Sequence, residues 1–341
     1  MNVLRPLIGL VVLLPLLWSC SDNDRSTEAL EKPAFHNALF DTFVAQLTTN
    51  QTQLVQPIPY TVPVNHKAAA LGKQLYFSPF LSANNTIACA TCHILSQGGD
   101  DNRPVSIGIH GQKGELNTPT VLNAGFNLAQ FWDGRATTLE EQAAFPLTAA
   151  HEMGNPSLQA VIERLNADAT WRQRFMDTFG QPASVEALTF AIAEYERTLI
   201  TPGSRFDRYL QGDDSALTPL EKQGWALFQT RGCIGCHQGI NLGGNLFQKA
   251  GVFEPLTIGE KWQGRFHVTH DPADRYMLKV PTLRNIAETA PYFHDGQVKT
   301  LETAVRLMIQ HQLGLIPDDH DVTALVAFLK TLSAPVREDG S

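Results

Sequence analysis

Cysteine is scarce in this chain, with five in 341 residues. A disulfide-stapled scaffold needs far denser cysteine, so that framework is excluded. Positive charge is also short: 26 Lys and Arg stand against 34 Asp and Glu, a formal net charge of -8. No basic cluster occurs, which excludes a nucleic-acid partner because phosphates need grouped cations. Beyond the first twenty residues no apolar run is long enough to cross a bilayer. What remains, 43% hydrophobic and 18% charged residues, is the composition of a folded chain. Its length exceeds the usual size of one core, so two domains are expected.

The first segment reads as an export address. Arg5 gives a short positive region, Leu7 to Leu17 is apolar, and Leu17-Trp18-Ser19-Cys20 resembles a bacterial lipobox. The expectation is a lipoprotein signal peptide over 1–19, lipidation of Cys20, and a tether and N-terminal extension over 20–60. The polar stretch Ser21 to Lys32 would space a periplasmic protein from the membrane that holds its anchor. An ordinary secretory signal with an incidental cysteine is the alternative.

The other four cysteines fall as Cys89-Ala-Thr-Cys92-His93 and Cys233-Ile-Gly-Cys236-His237. This spacing puts two thiols on one turn, where they can add to the two vinyl groups of a haem, with the next His directed at the iron. A zinc site fits poorly: Cys89 and Cys233 are 144 positions apart, against the roughly 15 to 20 of a zinc ribbon. A thioredoxin-like pair needs an α/β pattern and no His after the second Cys. Two covalently bound c-type haems are the reading.

The two motifs belong to an internal repeat. Leu71 to Phe77 and Gln223 to Phe228 are similar stretches before each motif. After them, Pro119-Thr120-Val121-Leu122-Asn123 is echoed by Pro281-Thr282-Leu283-Arg284-Asn285. Phe131-Trp132-Asp133-Gly134 is echoed by Phe293-His294-Asp295-Gly296. Pro119 to Pro281, Trp132 to His294 and Leu139 to Leu301 are each separated by 162 positions. Thr300 to Gln310 reads as an amphipathic helix bearing Met308, whose thioether suits the distal side of a c-type iron. The matching position in the first half is Pro146, which cannot ligate. The second haem is therefore expected between His237 and Met308, with Met277 as the rival ligand, and the first is expected to bind a small molecule.

Turning over a small molecule at an open iron needs a group that takes up a proton and delivers it again, plus polar donors. Gln142 and Glu152, on the segment that parallels the Met308 helix, are the candidates, with His151 an alternative acid–base group. Trp132 heads the loop that carries His294 in the repeat, as an electron relay or as a large core side chain. In the glycine-rich loop from Gly98 to Gly114, His110 is the one imidazole; lying between Gly108 and Gly111, it could close the first iron at rest and leave on activation.

From about Leu71 to Leu332 these residues resemble the bacterial di-haem cytochrome c peroxidases. The resemblance rests on both Cys-x-x-Cys-His motifs, Ser106-Ile107-Gly108, Pro119 to Asn123, Gln130 to Ala136, Glu152-Met153 and Ala290 to Gly296. It implies an all-α pair of cytochrome c-like domains, each with one covalent haem: a peroxidatic domain over 61–205, an electron-transfer domain over 206–335, and a tail over 336–341. It further implies Trp132 between the haems, Gln142 and Glu152 in peroxide cleavage, Met308 as iron ligand, and calcium held by Asn117 with the carbonyls of Thr289 and Pro291. In relatives the removable His directly follows Ser-Ile-Gly, whereas here Ile109 intervenes before His110. The activity implied is reduction of hydrogen peroxide with electrons from a small cytochrome c or cupredoxin, by a homodimer. A di-haem electron carrier and a protein-oxidising relative, a branch with Tyr at the place of Met308, are the alternatives.

Overall fold

A computed structural model describes residues 35–49, 53–256 and 262–337. The expected signal peptide 1–19, Cys20, the stretch Ser21 to Lys32 and positions 338–341 of the expected tail lie outside the described residues. In the first half α1 (Ala38–Thr49), α2 (His66–Tyr76) and the one-turn α3 (Cys89–Cys92) precede α4 (Leu139–Thr148), α5 (Leu158–Ala167), α6 (Ala169–Phe179) and α7 (Val185–Thr198). The second half carries α8 (Arg205–Leu210), α9 (Pro219–Thr230), α10 (Phe266–Thr269), α11 (Leu301–Leu307) and α12 (Asp319–Lys330). The fold is mainly α. Beyond the all-α expectation, β1 (Phe247–Lys249) pairs antiparallel with β2 (Met277–Lys279), Phe247 opposite Lys279.

Each half closes its own core around one tight helix crossing. Gly72 of α2 lies so near α7 that a Cβ would stand 1.8 Å from the Ala191 carbonyl oxygen, and Gly224 of α9 meets Ala324 of α12 in the same way at 1.9 Å. Glycine is required at both because the facing atom is backbone and cannot move aside. Around the first crossing cluster Leu71, Leu75, Leu147, Leu165, Phe175 and Leu188; around the second, Phe206, Phe228, Leu325, Phe328 and Leu332. Each such fully buried side chain contributes about 1.5–3 kcal/mol of transfer free energy. Phe40, Ile58 and Val62 pack with Ile200 and Ile240, so Phe40 and Ile58 of the N-terminal extension belong to a core cluster.

The repeat is geometric as well as textual. Asn123 and Asn285 both take a left-handed conformation at φ 59°, and Phe131 and Phe293 do so at 67° and 66°. Gln130 bridges Ala136 as Tyr292 bridges Val298. Thr138 caps α4 by accepting from the Glu141 N–H, and Thr300 caps α11 by accepting from the Thr303 N–H. The halves are joined by a reciprocal pair of bonds. The Asn117 N–H donates to the His294 carbonyl and the Lys279 N–H donates to the Trp132 carbonyl, both at 2.8 Å. Asn117 and Lys279 are equivalent positions, as are Trp132 and His294, so the contact has the exchange pattern of an approximate two-fold.

Candidate functional site

Both motif histidines are oriented by the same device. His93 sets Nδ1 3.2 Å from the Gly99 carbonyl, and His237 sets Nδ1 3.1 Å from the Leu242 carbonyl. A carbonyl can only accept, so the proton sits on Nδ1 and Nε2 keeps a free lone pair for a metal. Burial pushes both imidazoles down, His237 to about 4, which keeps them neutral. The Tyr76 hydroxyl donates to the His93 carbonyl at 2.8 Å and holds the end of α3. All four motif thiols are free. Burial raises three of them, Cys92 and Cys233 to about 11 and Cys89 further, so these stand protonated beside the histidines.

His237, Cys233, Cys236 and Met308 line one largely apolar cavity. Met308 opens a π-helical turn, Met308–Gln312, that continues α11, so the expected single helix from Thr300 to Gln310 changes pitch at the proposed ligand. Met277 sits in β2 and does not line this cavity. Pro146, the counterpart of Met308, lies inside α4, and its carbonyl accepts from the Met153 N–H at 3.2 Å. The two helices are equivalent in place and unlike in chemistry.

That Pro146 turn also delivers Glu152. Its carbonyl accepts from the Ile109 N–H at 2.9 Å, and Gly108 is pressed against it: a Cβ on Gly108 would be 2.6 Å from the Glu152 carbonyl oxygen. Burial raises the Glu152 carboxyl above its ordinary range, against the opposing pull of His151 and Arg135. His151 Nε2 lies 3.6 Å from Glu152 Oε1. Gln142 is half-buried on α4. His110 takes a left-handed φ of 56° and its side chain is exposed, while its neighbour Ile109 is buried against Gly154.

Trp132 lines the His237 cavity from the other half of the chain, its Nε1–H donating to the Asn117 carbonyl at 2.8 Å. Asn117, Thr289 and Pro291, the three expected calcium ligands, also line this cavity. Four further residues belong to the site without having been assigned a role from the sequence. Asp100 lies in that wall, 2% exposed, its carboxyl pushed up to about 7 chiefly by burial. Lys279 lies there as well, His294 stacks on Trp262 at 5.4 Å, and Arg135 sits 3.5 Å over the Phe131 ring. Of these His294, as the counterpart of Trp132, and Arg135, within Gln130 to Ala136, have a signal in the sequence; burial of Asp100 and Lys279 is a property of the folded contact.

The donor sets fit two c-type haems: neutral histidines with free Nε2, paired free thiols, and an apolar cavity closed by a thioether. Residues 66–215 match the family model described as di-haem cytochrome c peroxidase. The chain is 48% identical over 281 residues to the cytochrome c551 peroxidase of Nitrosomonas europaea, covering 82% of this chain and 84% of that protein. It is 46% identical over 287 residues to the cytochrome c peroxidase Ccp of Escherichia coli K12, covering 83% of this chain and 62% of that longer protein. Among solved structures, a MauG-like protein associated with microbial copper homeostasis superposes with a TM-score of 0.72 at 29% identity, over 84% of this chain and 95% of that one. Among the described residues no helix is long and apolar enough to cross a membrane. The chain belongs to the di-haem cytochrome c peroxidase family, a family of haem oxidoreductases.

Proposed function

We propose that this chain reduces hydrogen peroxide to two waters, taking two electrons singly from a small periplasmic cytochrome c or cupredoxin. One observation carries the reading: equivalent helices present Met308 in one half and Pro146 in the other. The haems, when bound, supply one-electron storage in the half of His237 and Met308 and an iron open to peroxide in the half of His93. Glu152, its proton affinity raised by burial, takes the proton from the nearer peroxide oxygen and returns it to the farther one. Gln142 orients the oxygens by hydrogen bonding, and Trp132 provides an aromatic path between the halves. His110, on the loop fastened to Glu152 through Ile109, is the resting ligand that withdraws on activation. Asn117 and the Thr289 and Pro291 carbonyls hold calcium, with buried Asp100 supplying negative charge nearby. A lipid anchor on Cys20 and a homodimer complete the proposal, with the peroxidatic domain over 61–205 and the electron-transfer domain over 206–335.

Glu152→Gln tests the assigned proton carrier. Turnover with reduced cytochrome c should fall by roughly 10²–10⁴, the usual weight of general acid–base catalysis, with both haems still attached. Undiminished turnover removes Glu152 from the mechanism. In the wild type the same assay separates the readings, since an electron carrier shows no turnover and a protein-oxidising relative shows little.

A further inference from the structure

Lys279 is buried without a counter-ion. It is 7% exposed, flanked in sequence by Leu278 and Val280, each also 7% exposed, and it lines the cavity of His237 and Met308. Among the described residues its ammonium makes no hydrogen bond or ion pair. Burial alone pushes it down to about 8, with no neighbouring carboxylate to pull it back. Carboxylates in adjoining segments are engaged elsewhere: Asp133 with Arg135 at 3.0 Å, and Asp100 with the Asn102 side chain at 3.1 Å. Its N–H is bonded to the Trp132 carbonyl and its strand is paired with β1, which fixes the face from which the side chain projects. An unpaired buried ammonium is among the costliest features a fold can carry, and lysine is rarely buried without a partner.

We propose that Lys279 binds a propionate carboxylate of the haem attached at Cys233 and Cys236, and so positions that haem and holds a positive charge at its edge. The inference rests on the haem reading of this cavity. Thioether attachment uses the vinyl edge of a haem and leaves its two propionates, the only anionic groups it has, to be met by the rest of the lining. Lys279 is a buried cation in that lining. The equivalent residue of the first half, Asn117, is uncharged and its Nδ2 is committed to the Arg103 carbonyl at 2.9 Å. The device therefore belongs to the Met308 half alone, where a fixed positive charge favours the reduced state.

The test compares holoprotein carrying Lys279→Met, Lys279→Gln or Lys279→Arg with the wild type. Spectroelectrochemistry should show that Lys279→Met lowers the reduced-to-oxidised ratio of the Met308 haem about tenfold at fixed poise, ~59 mV for one electron. Thermal unfolding should show lower stability, because a buried carboxylate has lost its partner. Lys279→Gln, the second variant should the first fail to fold, should show the same loss of potential. Lys279→Arg should restore both readouts. An unmoved potential together with a Lys279→Met protein more stable than wild type, the result of deleting a merely unpaired ammonium, overturns the assignment. Failure of the cavity reading looks different: wild-type Cys233–Cys236 peptide would carry no haem mass.

Discussion

Trp132 and His294 stand at the same place in the two repeats, and their rings meet edge to face with centroids 6.4 Å apart. The reciprocal bonds at 2.8 Å from Asn117 to His294 and from Lys279 to Trp132 hold them there. A duplicated loop has thus become its own partner, and its two copies have diverged from indole to imidazole. Trp132→Phe keeps an aromatic edge but removes the donor to the Asn117 carbonyl. It should cost about 1–3 kcal/mol, the penalty of an unsatisfied buried acceptor, in a denaturant melt. Rapid mixing with peroxide should show slower oxidation of the Met308 haem with both haems intact.

The helix crossings predict a matched pair of defects. Gly72→Ala and Gly224→Ala each drive a methyl group onto a backbone carbonyl, at 1.8 and 1.9 Å. Overpacking of this kind costs about 1–3 kcal/mol or more. Calorimetry should report a lower Tm for each, and an unchanged Tm for either would mean that the crossing yields at no cost.

Arg284 replaces the Leu122 of the first repeat and is fully buried against Asp207 at 2.6 Å, while also donating to the Ile240 and Gln56 carbonyls. Arg284→Leu should cost roughly 3–5 kcal/mol by stranding the Asp207 carboxylate. Arg284→Lys should rescue little, because one ammonium cannot match the guanidinium fork at three acceptors. Urea unfolding of the two variants checks both statements.

Glu196 is 7% exposed and its carboxyl is raised from 4.5 to about 8, by burial first and by Glu140, with Arg197 opposing. The folded state then binds a proton that the unfolded state has released, so stability is present below about 4.5 and is lost as pH rises towards 8. Glu196→Gln should flatten that part of the stability profile. A slope that persists in the variant would assign it to another group.

The residues proposed to hold the haems are legible in the sequence because the proposed attachment depends on residue type at fixed short spacing, as in Cys89 to His93. Glu152 is readable there only as a candidate. What raises its proton affinity is burial in the folded chain, and no short-range pattern around it in the sequence reports that burial. The π-turn at Met308 is likewise invisible, since a helical period does not report a local change of pitch.

Residue identity and repetition were enough to determine two Cys-x-x-Cys-His motifs, one duplicated framework, and the difference between Pro146 and Met308. Tertiary structure alone decided that Trp132, Asp100 and Lys279 share a wall with His237, and that Asn117 meets His294. The physical reason is that ligand chemistry is carried by a side chain wherever it goes. Burial, charge pairing and proton affinity come instead from segments far apart in the chain, 177 positions for Asn117 and His294, that meet only when the two halves close on each other.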